Sequence, residues 1–363
     1  MSDESSRTPV ATLVEIDVPI EISVRIGGAR VVSWPSSPSA PPAVECAAPA
    51  PHDIPRPVGG PDAAFEIDEN YEGREGYDPD WLDETVPLPQ LSAAQLKDAS
   101  VDTTRDEGDG ERHVLRYYHF SIAMSAKHRL MYFAACNTTR SPKLRGKVSR
   151  TALSDGKGDK WILDPRIPAV HQITTRELYS KAHVDRGHVV RREDAYWGKT
   201  ARIAAFGNFD SFHYTNCTPQ DKAFNRATVG DGLWGKLENH IGESAETDGD
   251  NLTYFAGPIF KGGREWDGIF IPYEFFKVVV AKRKGGGLGA WAFRLSQKAL
   301  IKDLPEPVFS PGMFETYVVS IASLEERTGL TFPRILHRID QSANQGEDRA
   351  FGSLLDIPMK PRS

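Results

Sequence analysis

The sequence predicts an α+β fold, in which strands and helices are mixed without the regular strand–helix alternation of a parallel sheet. Short apolar segments predict strands, and they concentrate in the middle and the C-terminal part of the chain. These strands are expected over 114–121, 129–137, 251–260, 275–283, 289–296 and 315–321. Helices are expected between and after them, over 174–181, 196–207, 219–243 and 322–328.

The folded body is expected over 113–340, followed by a tail over 341–363. Residues 1–33 contain stretches in which apolar and polar residues alternate, which predicts a short β-rich segment. Residues 34–112 are rich in Pro and Ala and then acidic, which is typical of a linker region. We expect at most partial order in this acidic part, wrapped on the body.

Charge is distributed unevenly along the chain, whose net charge is −6. Residues 1–112 hold 23 Asp and Glu against 8 Lys and Arg, a balance of −15. Residues 113–363 hold 27 against 36, a balance of +9. A basic body behind an acidic head indicates a domain that binds a polyanion. The alternative is that the acidic head only keeps the protein soluble.

The sequence shows no membrane or export signal. No apolar run approaches the length of a membrane-spanning helix, and the start Met1-Ser2-Asp3-Glu4 lacks the features of a secretory signal. Three cysteines (Cys46, Cys136 and Cys217) argue against a disulfide framework, and none has the spacing of a zinc site. We therefore expect a cytoplasmic protein without a membrane partner. Delivery as a secreted effector by a signal-independent route stays open.

Polar residues suited to phosphodiester chemistry cluster between residues 182 and 238. His188 is a candidate general base, because imidazole titrates near neutral pH. The Asn225 amide and the Glu238 carboxylate offer the oxygen ligands that Mg²⁺ prefers. Candidate phosphate contacts are Arg186, Arg191, Arg192 and Arg226.

The order of these pieces closely resembles the DNA/RNA non-specific endonuclease family, which includes endonuclease G. The resemblance covers roughly residues 115–335 and rests on Asp185-Arg186-Gly187-His188, Thr215-Asn216-x-Thr218-Pro219-Gln220, Phe224-Asn225-Arg226 and Trp234-x-x-Leu237-Glu238. It also includes Trp161-Ile162-Leu163-Asp164-Pro165-Arg166-Ile167 and Phe255-Ala256-Gly257-Pro258-Ile259-Phe260. The resemblance implies a ββα-metal nuclease domain built on a central, mainly antiparallel sheet with flanking helices, behind an acidic, partly disordered N-terminal extension.

The resemblance also implies a role for each matching residue. His188 is the general base, Asn225 is the direct Mg²⁺ ligand, and Glu238 binds the metal through water. Asp185 and Asn216 support the site. Arg186 either braces the loop or contacts phosphate. Contacts to phosphate and sugar imply little sequence specificity.

Two departures from the family pattern affect these roles. Thirteen positions separate Asn225 from Glu238, more than the family spacing, and Gly230 and Gly232 between them predict a bulge before a second helix. The transition-state arginine expected beside Trp161 is absent. Lys160 is the candidate replacement and nucleic-acid contact, and Arg150 is the other candidate.

Three other features are expected to be structural. His183 lies five residues before His188 without a predicted role, and His213 is expected to pack on a strand. Lys282-Arg283-Lys284 is expected to form a solvated hairpin turn, with a DNA-backbone contact as the alternative.

The leading hypothesis is a Mg²⁺-dependent, sequence-non-specific endonuclease acting on DNA and also RNA, with Mn²⁺ as a substitute for Mg²⁺. The alternatives are a catalytically weak module that binds nucleic acid or a partner, and a phosphodiesterase acting on small nucleotides or lipids. Because an unrestrained nuclease is toxic, residues 1–112 are expected to inhibit the basic cleft or to dock a regulatory or activating protein, as in a toxin or defence effector. A homodimer, which some family members form, is left open.

Overall fold

The computed structural model describes residues 25–26, 29–30, 70–145, 160–226, 237, 247–301, 315–343 and 349–351. The chain forms two compact units, Met1–His52 and Asp53–Ser363. Within the first unit, strands β1 (Arg25–Ile26) and β2 (Ala29–Arg30) form a short antiparallel pair. The rest of the β-rich segment predicted over 1–33 lies outside the described residues.

A sheet of eight antiparallel strands forms the centre of the second unit, which confirms the predicted α+β fold with a central antiparallel sheet. The strands are β3 (Leu115–Arg116), β4 (Phe120–Met124), β5 (Met131–Thr139), β8 (Thr247–Trp266), β9 (Ile269–Arg283), β10 (Leu288–Ser296), β11 (Glu315–Val319) and β12 (Arg349–Phe351). Their order across the sheet is β12-β11-β10-β9-β8-β5-β4-β3.

The longest strands, β8 and β9, form one hairpin in the middle of this sheet. Their register places Tyr254 opposite Val279 and Phe255 opposite Val278. Asp267 and Gly268 join the strands, and both have positive φ, as a tight two-residue hairpin turn requires. The hairpin therefore follows from aromatic and β-branched pairs across the strands and from turn chemistry at their junction.

Both faces of the sheet are covered, which explains why β4, β5 and β10 are buried along their whole length. On one face the core includes Cys136, Tyr254 and Val279 and extends to Val184 and Val189. The opposite face packs against two C-terminal helices and an N-terminal segment. Its core includes Phe133, Phe255, Phe276, Val278, Val280, Leu324, Leu336, Tyr77 and Leu82.

The helices flank the sheet, and seven lie in the described residues. They are α1 (Ala93–Asp98), α2 (Arg192–Ala195), α3 (Ala201–Asp210), α4 (Lys222–Arg226), α5 (Lys298–Ile301), α6 (Ile321–Thr328) and α7 (Arg334–Ile339). Residues Thr175–Tyr179 form a single π-helical turn. None of the helices in these described ranges is long and apolar enough to cross a membrane.

Residues 70–112 differ from the linker expected over 34–112. Tyr77, Leu82, Val86 and Leu91 are buried in the core on the second face of the sheet. Ser92 caps α1 through a capping box with Gln95. The folded unit therefore includes residues well before 113, and the expected linker residues 34–69 lie outside the described residues.

The start of the segment expected to be helical over 219–243 also differs. Strands β6 (Val184–His188) and β7 (Cys217–Asp221) form a separate antiparallel pair, and α4 starts only at Lys222. The pairing with β6 gives the backbone of 217–221 its hydrogen bonds as a strand, so long-range pairing overrides the local helix signal.

Candidate active site

The candidate site is built on a ββα unit formed by β6, β7 and α4. Asp185 pairs with Gln220 and His188 pairs with Cys217 across the two strands. The helix α4 begins at Lys222, directly after β7, and carries Asn225. The unit therefore brings the last residue of β6, His188, and the helix residue Asn225 into one small structural element.

Gly187 allows the two strands to approach closely beside His188. A Cβ atom at this position would lie 2.2 Å from both Cδ and Oε1 of Gln220. Gln220 is fully buried and donates a hydrogen bond from Nε2 to Thr218 Oγ1 (3.1 Å). The glycine before His188 is therefore required by packing against β7.

Aromatic rings surround the imidazole of His188, which is half-buried. The ring centroid of Trp161 lies 4.5 Å from that of His188, and Phe212 approaches at 4.9 Å with its plane at 86°. Such ring contacts restrict the orientations that the imidazole can adopt.

Trp161 is a site residue to which sequence reasoning gave no role. The next residue, Ile162, donates its amide to Phe212 O (3.1 Å), and Ile162 O accepts from the Tyr214 amide (2.8 Å). These bonds fix the Trp161 segment beside the segment that carries Phe212. The available signal was the resemblance itself, because Trp161 opens one of the matching segments.

A hydrogen bond joins Asp185 to Asn225, in agreement with the support role implied for Asp185. Asn225 donates from Nδ2 to Asp185 Oδ2 at 3.0 Å. Because Nδ2 faces the carboxylate, Oδ1 is the atom of this amide that suits a cation. His188 lies three residues beyond Asp185 on β6, about 10 Å along the strand.

Asn216 is fully buried and holds the chain that follows His188. Its Oδ1 accepts from the Val190 amide (2.9 Å), and its Nδ2 donates to Val190 O and Ser211 O (both 2.8 Å). The amide therefore binds backbone on two segments. These bonds hold the loop that follows His188 in place.

Arg186, for which bracing the loop or contacting phosphate was left open, makes a hydrogen bond within the protein. Its Nη1 donates to Thr175 Oγ1 at 3.1 Å. Its guanidinium carbon lies 5.7 Å from the centroid of the Trp161 ring.

Arg191 and Arg192 were predicted to contact nucleic acid, and the structure corrects both. Arg191 donates from Nε and Nη2 to the two carboxylate oxygens of Asp194 (3.1 and 2.9 Å). Arg192 is buried and donates from Nε to Asn208 Oδ1 (3.0 Å). Both side chains hold α2 in place, because buried charges need partners within the protein.

A cluster of buried charges lies beneath the segment after His188. Tyr254 donates from its hydroxyl to Asp194 Oδ2 (3.1 Å), and Lys277 Nζ lies 3.9 Å from the Tyr254 ring centroid. Burial lowers the pKa of Lys277 to about 7. Burial opposes ionisation of Asp194, but the ion pair with Arg191 outweighs it, so its pKa is lowered. The cluster ties α2 to the central sheet.

Other residues considered in the sequence differ in their exposure to solvent. Lys160 is exposed next to Trp161, so its ammonium group is accessible to a phosphate. His183 is exposed, and His213 is fully buried. Burial raises the pKa of the Cys217 thiol to about 12, so this neighbour of His188 stays a neutral thiol.

Glu238, Arg150 and the side chain of Arg226 lie outside the described residues. Their predicted roles therefore remain predictions, as does the bulge between Asn225 and Glu238.

The side chains present fit a hard cation held by few protein ligands. Among the residues with described placement, no group of three or more His, Cys, Asp and Glu side chains could hold a metal ion. Magnesium does not require such a group, because it keeps several waters and takes one or two protein oxygens. The Asn225 amide, turned by Asp185, offers one such oxygen.

Comparisons with known proteins agree with this architecture. A profile of the DNA/RNA non-specific endonuclease family matches residues 98–338, about two thirds of the chain. Over 301 residues the chain is 33% identical to "Uncharacterized protein y4fB" of Sinorhizobium fredii (strain NBRC 101917 / NGR234), an alignment that covers 79% of this chain and 43% of that protein. The chain thus spans less than half the length of this relative.

A solved structure is also similar in part. The crystal structure of the EndoG/EndoGI complex, described as giving the mechanism of EndoG inhibition, matches with a TM-score of 0.44 and 19% identity. The match covers 61% of this chain and 85% of that chain.

Proposed function

This chain belongs to the DNA/RNA non-specific endonuclease family, and we propose that it hydrolyses phosphodiester bonds of DNA and RNA with Mg²⁺ and with His188 as general base. One observation carries the proposal: the 3.0 Å hydrogen bond between Asp185 and Asn225 ties the strand that ends in His188 to the helix that carries the amide.

In this proposal His188 accepts a proton from the attacking water. Trp161 and Phe212 restrict the imidazole ring, so that one nitrogen is directed at the water throughout the reaction. A positioned base of this kind contributes roughly 10²–10⁴-fold to the rate. The exposed ammonium group of Lys160 contacts a phosphate oxygen as a single charge.

Asn225 would hold the magnesium ion through Oδ1, because its Nδ2 faces Asp185. A magnesium ion bound there would neutralise charge on the phosphate and stabilise the leaving oxygen. Glu238 is proposed to act through a metal-bound water, as the family resemblance implies. The family resemblance implies that cleavage leaves a 5′-phosphate.

The test is cleavage of supercoiled DNA, linear DNA and RNA by the full chain, with Mg²⁺ and separately with Mn²⁺. We expect His188→Ala to lower the rate by at least about 100-fold. His183→Ala is the matched control, because His183 is exposed and lies only five residues away. Equal activity of the two variants would exclude His188 as the base, and an inactive wild type would exclude the nuclease proposal.

Regulation through the N-terminal region is proposed for residues 1–69 only. Residues 70–112 were part of the expected regulatory head, but they contribute buried side chains to the sheet, so their removal would damage the fold. Deletion of residues 1–60 should raise basal cleavage if this region covers the cleft. Unchanged or reduced cleavage by the folded deletion variant would contradict inhibition.

A further inference from the structure

The segment 70–77 lies before the residues that match the family, yet it is fixed to the body by buried polar contacts. Arg74 is only 4% exposed. The Gly76 amide donates to Tyr117 O (3.0 Å), and the Tyr77 amide donates to Ser121 Oγ (2.9 Å). These bonds place the segment, which we call the strap, along β3 and β4.

Arg74 forms a buried ion pair with Asp210, the last residue of α3. Its Nε donates to both carboxylate oxygens (3.1 and 2.9 Å), and Nη2 donates to Oδ1 (2.9 Å). The Tyr118 amide also donates to Asp210 Oδ2 (2.9 Å). The strap therefore fixes the end of α3.

Tyr71 makes a second contact between the strap and the same region. Its hydroxyl lies 2.7 Å from His213 Nε2, and His213 Nδ1 lies 2.8 Å from Asp210 O. Burial lowers the pKa of His213, so its ring is neutral. Nδ1 then donates to the carbonyl, and Nε2 accepts from the Tyr71 hydroxyl. The guanidinium carbons of Arg74 and Arg166 lie 3.9 and 4.3 Å from the centroid of the Tyr71 ring.

Residues 210–216, which the strap holds in this way, contain side chains that contact His188 and the segment after it. Phe212 contacts the His188 ring edge-on at 4.9 Å. The Asn216 backbone amide donates to His213 O (2.9 Å), and the Asn216 side chain accepts from the Val190 amide and donates to Val190 O. A shift of His213 would therefore move groups on both sides of the imidazole.

We propose that Tyr71 is a positioning residue for the reaction, acting through His213 on Phe212 and Asn216 and so on His188. This inference rests on the proposed function, since it assigns an upstream residue to the same site. Tyr71 lies before residue 98, so the range that matches the family does not contain all the parts that orient the general base.

Tyr71→Phe tests the proposal in the full chain, because it removes only the hydroxyl that contacts His213. Tyr77→Phe is the matched control. It also removes one buried hydroxyl from the strap, one that donates to Val86 O (2.7 Å), away from residues 210–216. We expect Tyr71→Phe to lower kcat about fivefold, the loss that one hydrogen bond can cause, with KM changed less than twofold. Tyr77→Phe should lower thermal stability and leave kcat unchanged.

Hydrogen–deuterium exchange gives a readout that does not require nuclease activity. Tyr71→Phe should speed exchange of the amides of Val189, Val190 and Asn216, and Tyr77→Phe should not. An unchanged kcat together with unchanged exchange at these amides would overturn the proposal and leave Tyr71 a purely structural residue. Inactive wild type with the expected exchange pattern would overturn the proposed function and leave the positioning contact standing.

Discussion

Substitution of Gly187 by alanine has an outcome that can be worked from the structure. The added Cβ would lie 2.2 Å from Cδ and Oε1 of Gln220 and 2.6 Å from its Cγ, whereas ordinary contacts between carbon atoms start near 3.5 Å. The clash therefore requires a shift of about 1 Å. Gln220 is fully buried on β7, so its side chain has little room to turn away.

Overpacking of this kind costs about 1–3 kcal/mol. At roughly 2–4 °C per kcal/mol for domains of 150–250 residues, Gly187→Ala should lower Tm by about 2–12 °C. Cleavage should fall by more than the stability loss explains, because His188 is the next residue on β6. Thermal unfolding and plasmid cleavage by the folded protein measure the two effects.

Two further variants make this test decisive. Gly108→Ala is the control, because nothing lies within 4 Å of its added Cβ, and both stability and cleavage should match wild type. The double variant Gly187→Ala/Gln220→Ala should be more stable than the sum of the two single changes predicts, since Gln220→Ala removes the side-chain atoms that the added Cβ would meet. Additive losses, or a Gly187→Ala protein as stable as wild type, would refute the close-packing explanation.

Three other perturbations follow from the site. Asp185→Ala should weaken metal affinity by about 10- to 100-fold, the usual effect of losing a residue that orients a metal ligand, because the Asn225 amide would no longer be held in one orientation. Mn²⁺ titration followed by electron paramagnetic resonance measures this affinity, and an unchanged affinity would contradict the prediction. Burial lowers the pKa of Lys277 to about 7, below the value near 10.4 of an unfolded lysine. Between these pH values the folded state therefore binds fewer protons than the unfolded state, and the free energy of unfolding should rise with pH from about 7 to 10. Lys277→Met should flatten this rise in denaturant titrations, and an equally steep rise in the variant would contradict the prediction. Lys160→Ala should reduce the slope of log DNA affinity against log salt concentration by about 1, whereas Arg192→Gln, at a buried position, should leave this slope unchanged. DNA binding measured with Ca²⁺ in place of Mg²⁺ gives both slopes, and a slope changed by Arg192→Gln but not by Lys160→Ala would contradict the two roles.

Local patterns predicted the central sheet well, because its strands combine high β-propensity with clear turn signals. The residues of β9 and β10 alternate between two covered faces, and the hairpin turn at Asp267 and Gly268 needs positive φ. Residues 70–112 were predicted to have at most partial order, because Leu82 and Val86 are isolated apolar residues without periodicity. Their burial depends on contacts with strands that are distant in the sequence, and local sequence patterns do not report such contacts.

The sequence motifs predicted which residues belong to the site, but not the partners that those residues contact. The resemblance pointed to His188 and Asn225, and the structure adds the ββα unit that carries both. Residue type alone does not distinguish a surface arginine from a buried one, so Arg191 and Arg192 were predicted to contact nucleic acid. Their partners, Asp194 three residues on and Asn208 on the next helix, are set by the fold.

A magnesium titration of the cleavage rate tests the central claim most directly, with wild type, His188→Ala and Asn225→Ala measured side by side. We predict a wild-type magnesium midpoint and a greatly reduced maximal rate for His188→Ala, and a midpoint shifted to higher magnesium for Asn225→Ala. A near-normal maximum for His188→Ala, or an unshifted midpoint for Asn225→Ala, would contradict the division of work between the imidazole and the amide.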